Sequence, residues 1–558
     1  MNPNVVACFA LISRLKAHGV EHAVISPGSR STALAYAADK ILKTNVVIDE
    51  RDAGFLALGI AESSMAPVVI ITTSGSAPAH LYPAVVEANQ SNIGLILLTA
   101  DRPHEVRGRG APQTIDQVNL YSNSVRRFID SECPHDNNEE VYWESLADQI
   151  FEKANMASVE SGPVHLNLGM REPLVPDGDE ILPAISPQPF AGVTPAKEKM
   201  VDLSKFVGDS EKVLITLGRF FDGDVEAVLE FATKLNAPVL ADILSNARTN
   251  EKVISNYDAI ARTQDKELFP EVIIQFGDPL TSKVFNLNYG EKAKVLRVTK
   301  KNDNRNPYGH QDLDVFIKSY DDFFDLLFKN ITNSEFVNKW MQASKEANNI
   351  VVELMNDYSD SEPAIMSNIG AGLSKLSAAS ILLGSSMPVR YAEWLWQTQN
   401  RNSKIYSHRG TNGIDGMISS SIGIAIGANN ATVAVIGDVT FAHDIGFLPH
   451  AQRIASSRNL SLTLIVIDNG GGKIFSHLDQ AKSASLNDSY DSLFNTDPKI
   501  NIKAFAEASN VNYVETNIET IQVDIENNVK KSGVNMIHIK CGQESGTAFM
   551  SALNEALS

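Results

Sequence analysis

Short apolar, β-branched runs recur along this chain. Nearly all stop at glycine, serine or an acidic residue before a helix-like stretch begins. "EHAVISPGSR", "TNVVIDERDAGFLALGIA", "APVVIITTSGS" and "IGLILLTADRP" do so in the first third. "KVLITLGRF", "APVLADILS", "EVIIQFGDPL" and "AKVLRVTK" follow in the middle, then "SAASILLGSSMPVR", "TVAVIGDVTFAHDIGFL" and "LSLTLIVIDNGGGKIF". Strands that alternate with helices pair in parallel, because each helix returns the chain across one face of the sheet. The expected fold class is α/β, with mainly parallel sheets flanked by helices. Ligands in such sheets gather just past the carboxyl ends of the strands. SPGSR, DER, TTSGS, TADRP, GDV and DNGGG all fall at such ends.

At roughly 100–200 residues per domain, 558 residues leave room for three units of this kind. A proline-rich passage from Glu172 to Lys197 reads as a linker, and the polar helical stretch "NSEFVNKWMQASKEANNIVVELMND" leads into the last unit. The expected ranges are 1–180, 198–332 and 355–558. No apolar run reaches the ~18 residues of a membrane span, and the N-terminus reads as an amphipathic helix rather than a signal peptide. A formal charge of −19 argues against a nucleic-acid binder, which needs a basic surface. A local basic cluster can still attract an anionic small molecule. Cys8, Cys133 and Cys541 lie far apart with no CxxC pair, so a disulfide or metal framework is not expected and a cytoplasmic location is.

The run "LIVIDNGGGKIF" carries the strongest chemical signal. "VAVIGD" ends at Gly437–Asp438 and "LIVIDN" ends at Asn469. Side by side in a parallel sheet, these ends would offer a carboxylate, an amide oxygen and a bare backbone carbonyl. Such hard oxygen ligands suit Mg²⁺, which also keeps water and phosphate oxygens in its shell. Gly470, Gly471 and Gly472 would let a diphosphate approach the backbone. A plain glycine turn is the competing reading. A P-loop is excluded, since Ile474 follows Lys473 where Ser or Thr is required. Glu50, at another strand end, reads either as a functional carboxylate or as one half of a surface pair with Arg51.

Glu50 together with the GD…N pattern resembles the thiamin diphosphate enzyme superfamily. "ISPGSRSTAL", "ERDAGFLALGIA", "TTSGSAPAHLYPAVVEA", "LLTADRPHEVRGRGAPQTIDQ", "GSSMPVR", "SHRGTNGIDG", "GDVTFAHDIGFL" and "DNGGGKIF" together resemble its MenD branch, in order from about Val24 to Phe475. Enzymes of that branch are the 2-succinyl-5-enolpyruvyl-6-hydroxy-3-cyclohexene-1-carboxylate synthases of menaquinone biosynthesis. The resemblance implies Glu50 as the catalytic carboxylate at the pyrimidine N1′ of the cofactor. It implies Asp438, Asn469 and the Gly471 carbonyl as ligands of Mg²⁺ or Mn²⁺, with Gly437 and Gly470 beside the diphosphate. Ile414 would support the bent cofactor, and Ile474 and Phe475 would line the site. The implied reaction decarboxylates 2-oxoglutarate and adds the resulting fragment 1,4 to isochorismate. Each substrate carries two carboxylates, which arginine meets bidentately. The matched cations are Arg30, Arg102, Lys283, Arg390 and Arg409, with neutral hydrogen bonds from Ser29, Gln113 and Ser386. His443, Arg107 and Arg109 receive no role. A homodimer or homotetramer is implied, with active sites at the subunit interface.

The chain departs from that pattern in places. Asp468 stands where asparagine is usual, with its side chain expected on the other face of the strand, and Lys473 replaces a small or neutral residue. The segment "PHAQRIASSRNLS" is longer than expected, and is expected to lie away from the site. Ser385, Tyr391, His408 and Thr411 differ from residues expected to border the acceptor pocket. A paralogue with another acceptor, or a simpler carboligase, stays open on these grounds. An inactive scaffold is disfavoured by the presence of Glu50.

Overall fold

The computed structural model describes residues 2–135, 140–158, 160–176, 206–220, 225–249, 252–299, 313–316, 334–397, 402–541 and 545–557. They form three six-stranded sheets in which every neighbouring pair is parallel. The first contains β1 (His22–Ile25), β2 (Lys43–Val46), β3 (Val68–Thr72), β4 (Leu95–Asp101), β5 (Arg127–Ser131) and β6 (Val164–Gly169). The middle one contains β7 (Val213–Leu217), β8 (Val239–Ala241), β9 (Val253–Ile254), β10 (Val272–Phe276), β11 (Lys294–Thr299) and β12 (Leu313–Phe316). The third contains β13 (Ser380–Leu383), β14 (Lys404–Tyr406), β15 (Thr432–Gly437), β16 (Ser461–Asp468), β17 (Asn512–Thr516) and β18 (Gly533–Lys540).

Strand order relates the three. The first sheet runs β2-β1-β3-β4-β6-β5 and the third runs β14-β13-β15-β16-β18-β17, so the two share one topology. The middle sheet runs β12-β11-β10-β7-β8-β9, the order of dinucleotide-binding folds. In the first and third sheets the order reverses between the opening strand and the third, which puts a crevice at the ends of β1/β3 and of β13/β15. The central strands are buried on both faces, which is why β4 (LILLTAD) and most of β16 (SLTLIVID) read as near-continuous apolar runs.

One sheet falls in each expected range, but the cores do not stop at the unit boundaries. One core joins Val24, Leu97, Ile436 and Leu464 of the first and third units. Another joins Tyr257, Tyr289 and Trp340 to Ile381, Ile537 and Phe549. The first joint centres on two helices, Glu50–Ser64 and Met417–Ala428. A Cβ on Gly59 would lie 2.2 Å from the Ser420 carbonyl oxygen, and one on Gly423 would lie 2.2 Å from that of Leu56. The helix backbones therefore touch, and the Ser420 hydroxyl donates to the Phe55 carbonyl at 3.0 Å.

The polar stretch forms a helix, Ser334–Asp357, and the expected boundary at 355 falls inside it. The boundaries at 180, 198 and 332 and nearly all of the proline-rich passage lie outside the described residues. No helix among the described residues is long and apolar enough to cross a membrane.

Candidate active site

The ends of β15 and β16 meet beside the switch point of the third sheet, with Gly437 paired to Ile467. Asp438 opens the helix Asp438–Asp444. Its Oδ2 accepts from the Gly471 N–H and its Oδ1 from the Val439 N–H, both at 2.8 Å. Gly470 and Gly471 have φ of 75° and 126°, which side chains rarely adopt. A Cβ on Gly471 would also meet the Asn495 carbonyl at 2.2 Å. The Gly471 carbonyl accepts one bond, from the Lys473 N–H at 2.9 Å, and has a second lone pair to offer. Asn469 donates through Nδ2 to Glu362 Oε2 at 3.0 Å, while its Oδ1 is buried without a partner.

Across the crevice, β13 runs into Ser385 and Ser386. Ser386 has a φ of 74°, an uncommon conformation for a residue with a side chain. It precedes the helix Met387–Leu395, whose Arg390 donates back to the Ser386 carbonyl. The pocket between these walls has a volume of about 270 Å³ and is lined by Ser386, Arg390, Ile414, Asp438, Lys473 and Phe475, among others. Burial pushes the Asp438 carboxyl up to about 6 and that of Glu362 up to about 7. Burial, then the Arg409 charge, holds Arg390 down at about 10. Among the described residues no cluster of His, Cys, Asp and Glu could hold a metal. One carboxylate, one orphaned amide oxygen and one carbonyl instead form a donor set that could hold a hard cation with water and phosphate oxygens in its shell.

A second constellation sits at the switch point of the first sheet. A Cβ on Gly28 would lie 2.2 Å from Thr73 Cβ, so the SPGSR and TTSGS loops touch. Ser29 is exposed there. Arg30 donates to the Met170 carbonyl at 2.9 Å, and its buried Nε has no partner. Arg102 donates to Ser74 Oγ at 3.0 Å and to the Pro112 carbonyl at 2.9 Å. Gln113 donates to the Ser74 carbonyl at 2.9 Å. Arg107 is taken up by Asp101 and Asp130, at 3.0 and 2.9 Å.

Glu50 begins the helix Glu50–Ser64 just beyond β2. The competing reading paired it with Arg51, but Arg51 turns to Asp52 at 3.2 Å and Asp444 at 3.5 Å. Glu50 makes no ion pair among the described residues and does not line the pocket at Asp438. One chain thus gathers Ser29, Arg30, Arg102 and Gln113 at the first sheet. It gathers Gly437, Asp438, Asn469, Gly471, Ile414, Ile474, Phe475, Ser386 and Arg390 at the third. Lys283 is exposed on the middle unit, at the start of the helix Lys283–Asn288. Arg409 is half-buried near Asp242, Arg219, Glu87 and Glu393, with one guanidinium nitrogen unpartnered.

The model of the thiamine pyrophosphate enzyme N-terminal TPP binding domain matches residues 7–120. The 2-succinyl-5-enolpyruvyl-6-hydroxy-3-cyclohexene-1-carboxylate synthase of Listeria innocua is 33% identical, over 98% of this chain and 96% of that protein. The synthase of Geobacillus kaustophilus is 37% identical over 87% and 86%, and that of Bacillus velezensis 31% over 100% and 98%. The chain belongs to this synthase family.

Within the synthase family, the departures of this chain now have places. Asp468 turns to the neighbouring strand, where its Oδ2 lies 3.1 Å from His538 Nε2, and His538 in turn bonds Tyr513 at 2.7 Å. Lys473 lines the pocket, and its charge acts on Glu362. Ser385 also lines it, but Tyr391, His408 and Thr411 do not. His408 stacks on Phe55 at 5.5 Å, and Thr411 donates to Glu87 through its backbone at 2.6 Å and its hydroxyl at 2.8 Å. These two changes face the first unit rather than the pocket. The segment "PHAQRIASSRNLS" contributes no residue to the walls of this pocket. It forms the helix Leu448–Ser457, and Arg453 and Arg458 donate to the carbonyls of Val46 and Thr44 at 2.9 and 2.8 Å. Those carbonyls belong to β2, the edge strand that leads to Glu50. Glu362 escaped the sequence reading altogether, because its contact with Asn469 spans 107 residues and no local motif marks it.

Proposed function

We propose that this synthase, with thiamin diphosphate and Mg²⁺ or Mn²⁺, decarboxylates 2-oxoglutarate and adds the remaining four-carbon fragment 1,4 to isochorismate. The products are CO₂ and the compound for which its relatives are named. The observation that carries the reading is the cradle of Asp438, Asn469 and Gly471, in a chain similar to these synthases along its whole length. Asp438, the free Asn469 Oδ1 and the Gly471 carbonyl would hold the metal, and the bare backbone at Gly470 would admit the diphosphate beside Gly437. Thiamin diphosphate, when bound, supplies the electron sink that lets CO₂ leave.

The protein's own contribution is orientation, charge and proton handling. Ile414, Ile474 and Phe475 wall the reacting centre and exclude water from it. Arg390 and Ser386 face the same pocket and can bind a substrate carboxylate and a developing oxyanion. Glu50, brought by a second copy of the chain, would hold and move a proton at the pyrimidine N1′. Ser29, Arg30, Arg102 and Gln113 would arrive with it, while Lys283 and Arg409 would contribute from the middle unit and its junction. Apolar surface beside Glu50 supports the pairing of chains, since Val46 and Ile48 are 45% and 69% exposed. We place the enzyme in the cytoplasm, where its three free thiols would stay reduced.

Incubation with Mg²⁺, thiamin diphosphate and 2-oxoglutarate, with and without isochorismate, tests the reading. Expected are CO₂ release and, with isochorismate, an adduct by mass spectrometry that carries the four-carbon fragment. No CO₂ under either condition would overturn the donor. Release without adduct would point to another acceptor, the alternative that Ser385 and Lys473 in the pocket favour.

A further inference from the structure

Glu362 lies in the first turn of the helix Glu362–Ser374, behind the N-cap Ser361 whose hydroxyl accepts from the Ala364 N–H at 3.2 Å. The helix belongs to none of the motifs described above, yet its first carboxylate lines the pocket. There Oε2 accepts from Asn469 Nδ2 at 3.0 Å. An asparagine amide has one donor end and one acceptor end, opposite each other. Fixing the donor end on a carboxylate leaves only the oxygen to face the other way. Asn469 Oδ1 is buried and unpartnered among the described residues. Asp438, the other side-chain donor of the cradle, is held by two backbone N–H groups.

We propose that Glu362 is the positioning residue of the metal site. By binding the Asn469 amide nitrogen it selects the one amide orientation that turns Oδ1 toward the cation. A carboxylate behind a ligand is the usual way a protein fixes such a ligand's orientation and raises its basicity, and loss of such a partner typically costs about 10–100-fold in metal affinity. The helix N-terminus favours a negative charge at this position. The inference rests on the cofactor site proposed above.

The test is metal binding by the folded apo chain, read by Mn²⁺ electron paramagnetic resonance in the presence of thiamin diphosphate. The variants are Glu362→Gln, which keeps an acceptor oxygen, and Glu362→Met and Glu362→Ala, which remove it. Met and Ala should each weaken Mn²⁺ binding about 10–100-fold, while Gln should stay within about threefold of the wild type, because its amide oxygen still accepts the bond. Apo melting temperatures, measured alongside, identify the truncation that stays folded. A folded truncation that binds Mn²⁺ as tightly as the wild type would overturn the proposal, as would an equal loss in Gln. A wild-type chain that binds no Mn²⁺ would instead overturn the cofactor site itself.

Discussion

At the scale of single residues, function is divided between groups that a local pattern announces and groups that it does not. Glu50 is of the first kind. Its carboxylate has no arginine partner among the described residues, and Arg51 is drawn to Asp52 and Asp444. Glu50→Gln keeps the shape but removes the proton-accepting charge. It should lower carboligation by about 10²–10⁴-fold while leaving thiamin diphosphate binding close to wild type. Isothermal calorimetry beside a turnover assay separates the two, and unchanged turnover would remove Glu50 from proton transfer. Asp438 and Asn469 were legible for the same reason as Glu50: each ends an apolar run where a parallel sheet presents its ligands. Glu362 was not, because only the closed fold brings it to Asn469. Lys283 shows the opposite limit: its motif was readable, but the residue is exposed on the middle unit.

At the scale of elements, the helix Glu50–Ser64 anchors the joint between the first and third units. Its contact with Met417–Ala428 leaves no room at Gly59 or Gly423. Gly423→Ala would press a methyl group onto the Leu56 carbonyl, and it should destabilise the protein by about 1–3 kcal/mol in chemical denaturation. Little change would mean that the helices can part freely. On the same helix burial lifts the Glu62 carboxyl to about 8, with the Glu87 charge adding and the Arg219 charge opposing. A carboxyl raised in the fold stabilises it while protonated. That contribution is complete below the unfolded value of 4.5 and is lost as pH rises through about 8. Wild-type stability should therefore fall as pH rises from about 5 to about 8, with a slope from this group near about 1.4 kcal/mol per pH unit around pH 6–7 that fades above pH 8. Glu62→Gln should remove that slope, and denaturation midpoints at three pH values measure it. Identical slopes in both proteins would assign the loss to another group. The strands and the parallel pairing were readable from apolar runs, but the shared topology of the first and third sheets was not. Strand order depends on which helix crosses which face, and these two units have no visible sequence repeat to signal it.

At the scale of the whole molecule, a single chain does not bring Glu50 to the Asp438–Asn469 cradle. Glu50 sits beyond the edge strand β2 of the first sheet and the Asp438–Asn469 cradle beside the switch point of the third, and among the described residues the pocket at the cradle has no first-unit residue in its walls. The apolar residues Val46 and Ile48 beside Glu50 are left exposed, although Arg453 and Arg458 fix the strand that precedes it. A two-fold dimer would answer both features, because an isologous interface presents each half-site to the other chain's half. Subunit complementation makes this quantitative. Glu50→Gln and Asn469→Ala chains should each be inactive alone. After mixing, dissociation and reassembly, a mixed dimer would hold both lesions in one site and none in the other. Random pairing makes about half the dimers mixed, each with one intact site of two, so activity should return to about a quarter of the wild-type level. If one chain supplied both halves of its own site, every site in the mixture would carry a lesion and no activity would return. The assay thus turns on which chain brings Glu50 to the cradle, and it does so without requiring the acceptor to be known, since CO₂ release from 2-oxoglutarate suffices as the readout.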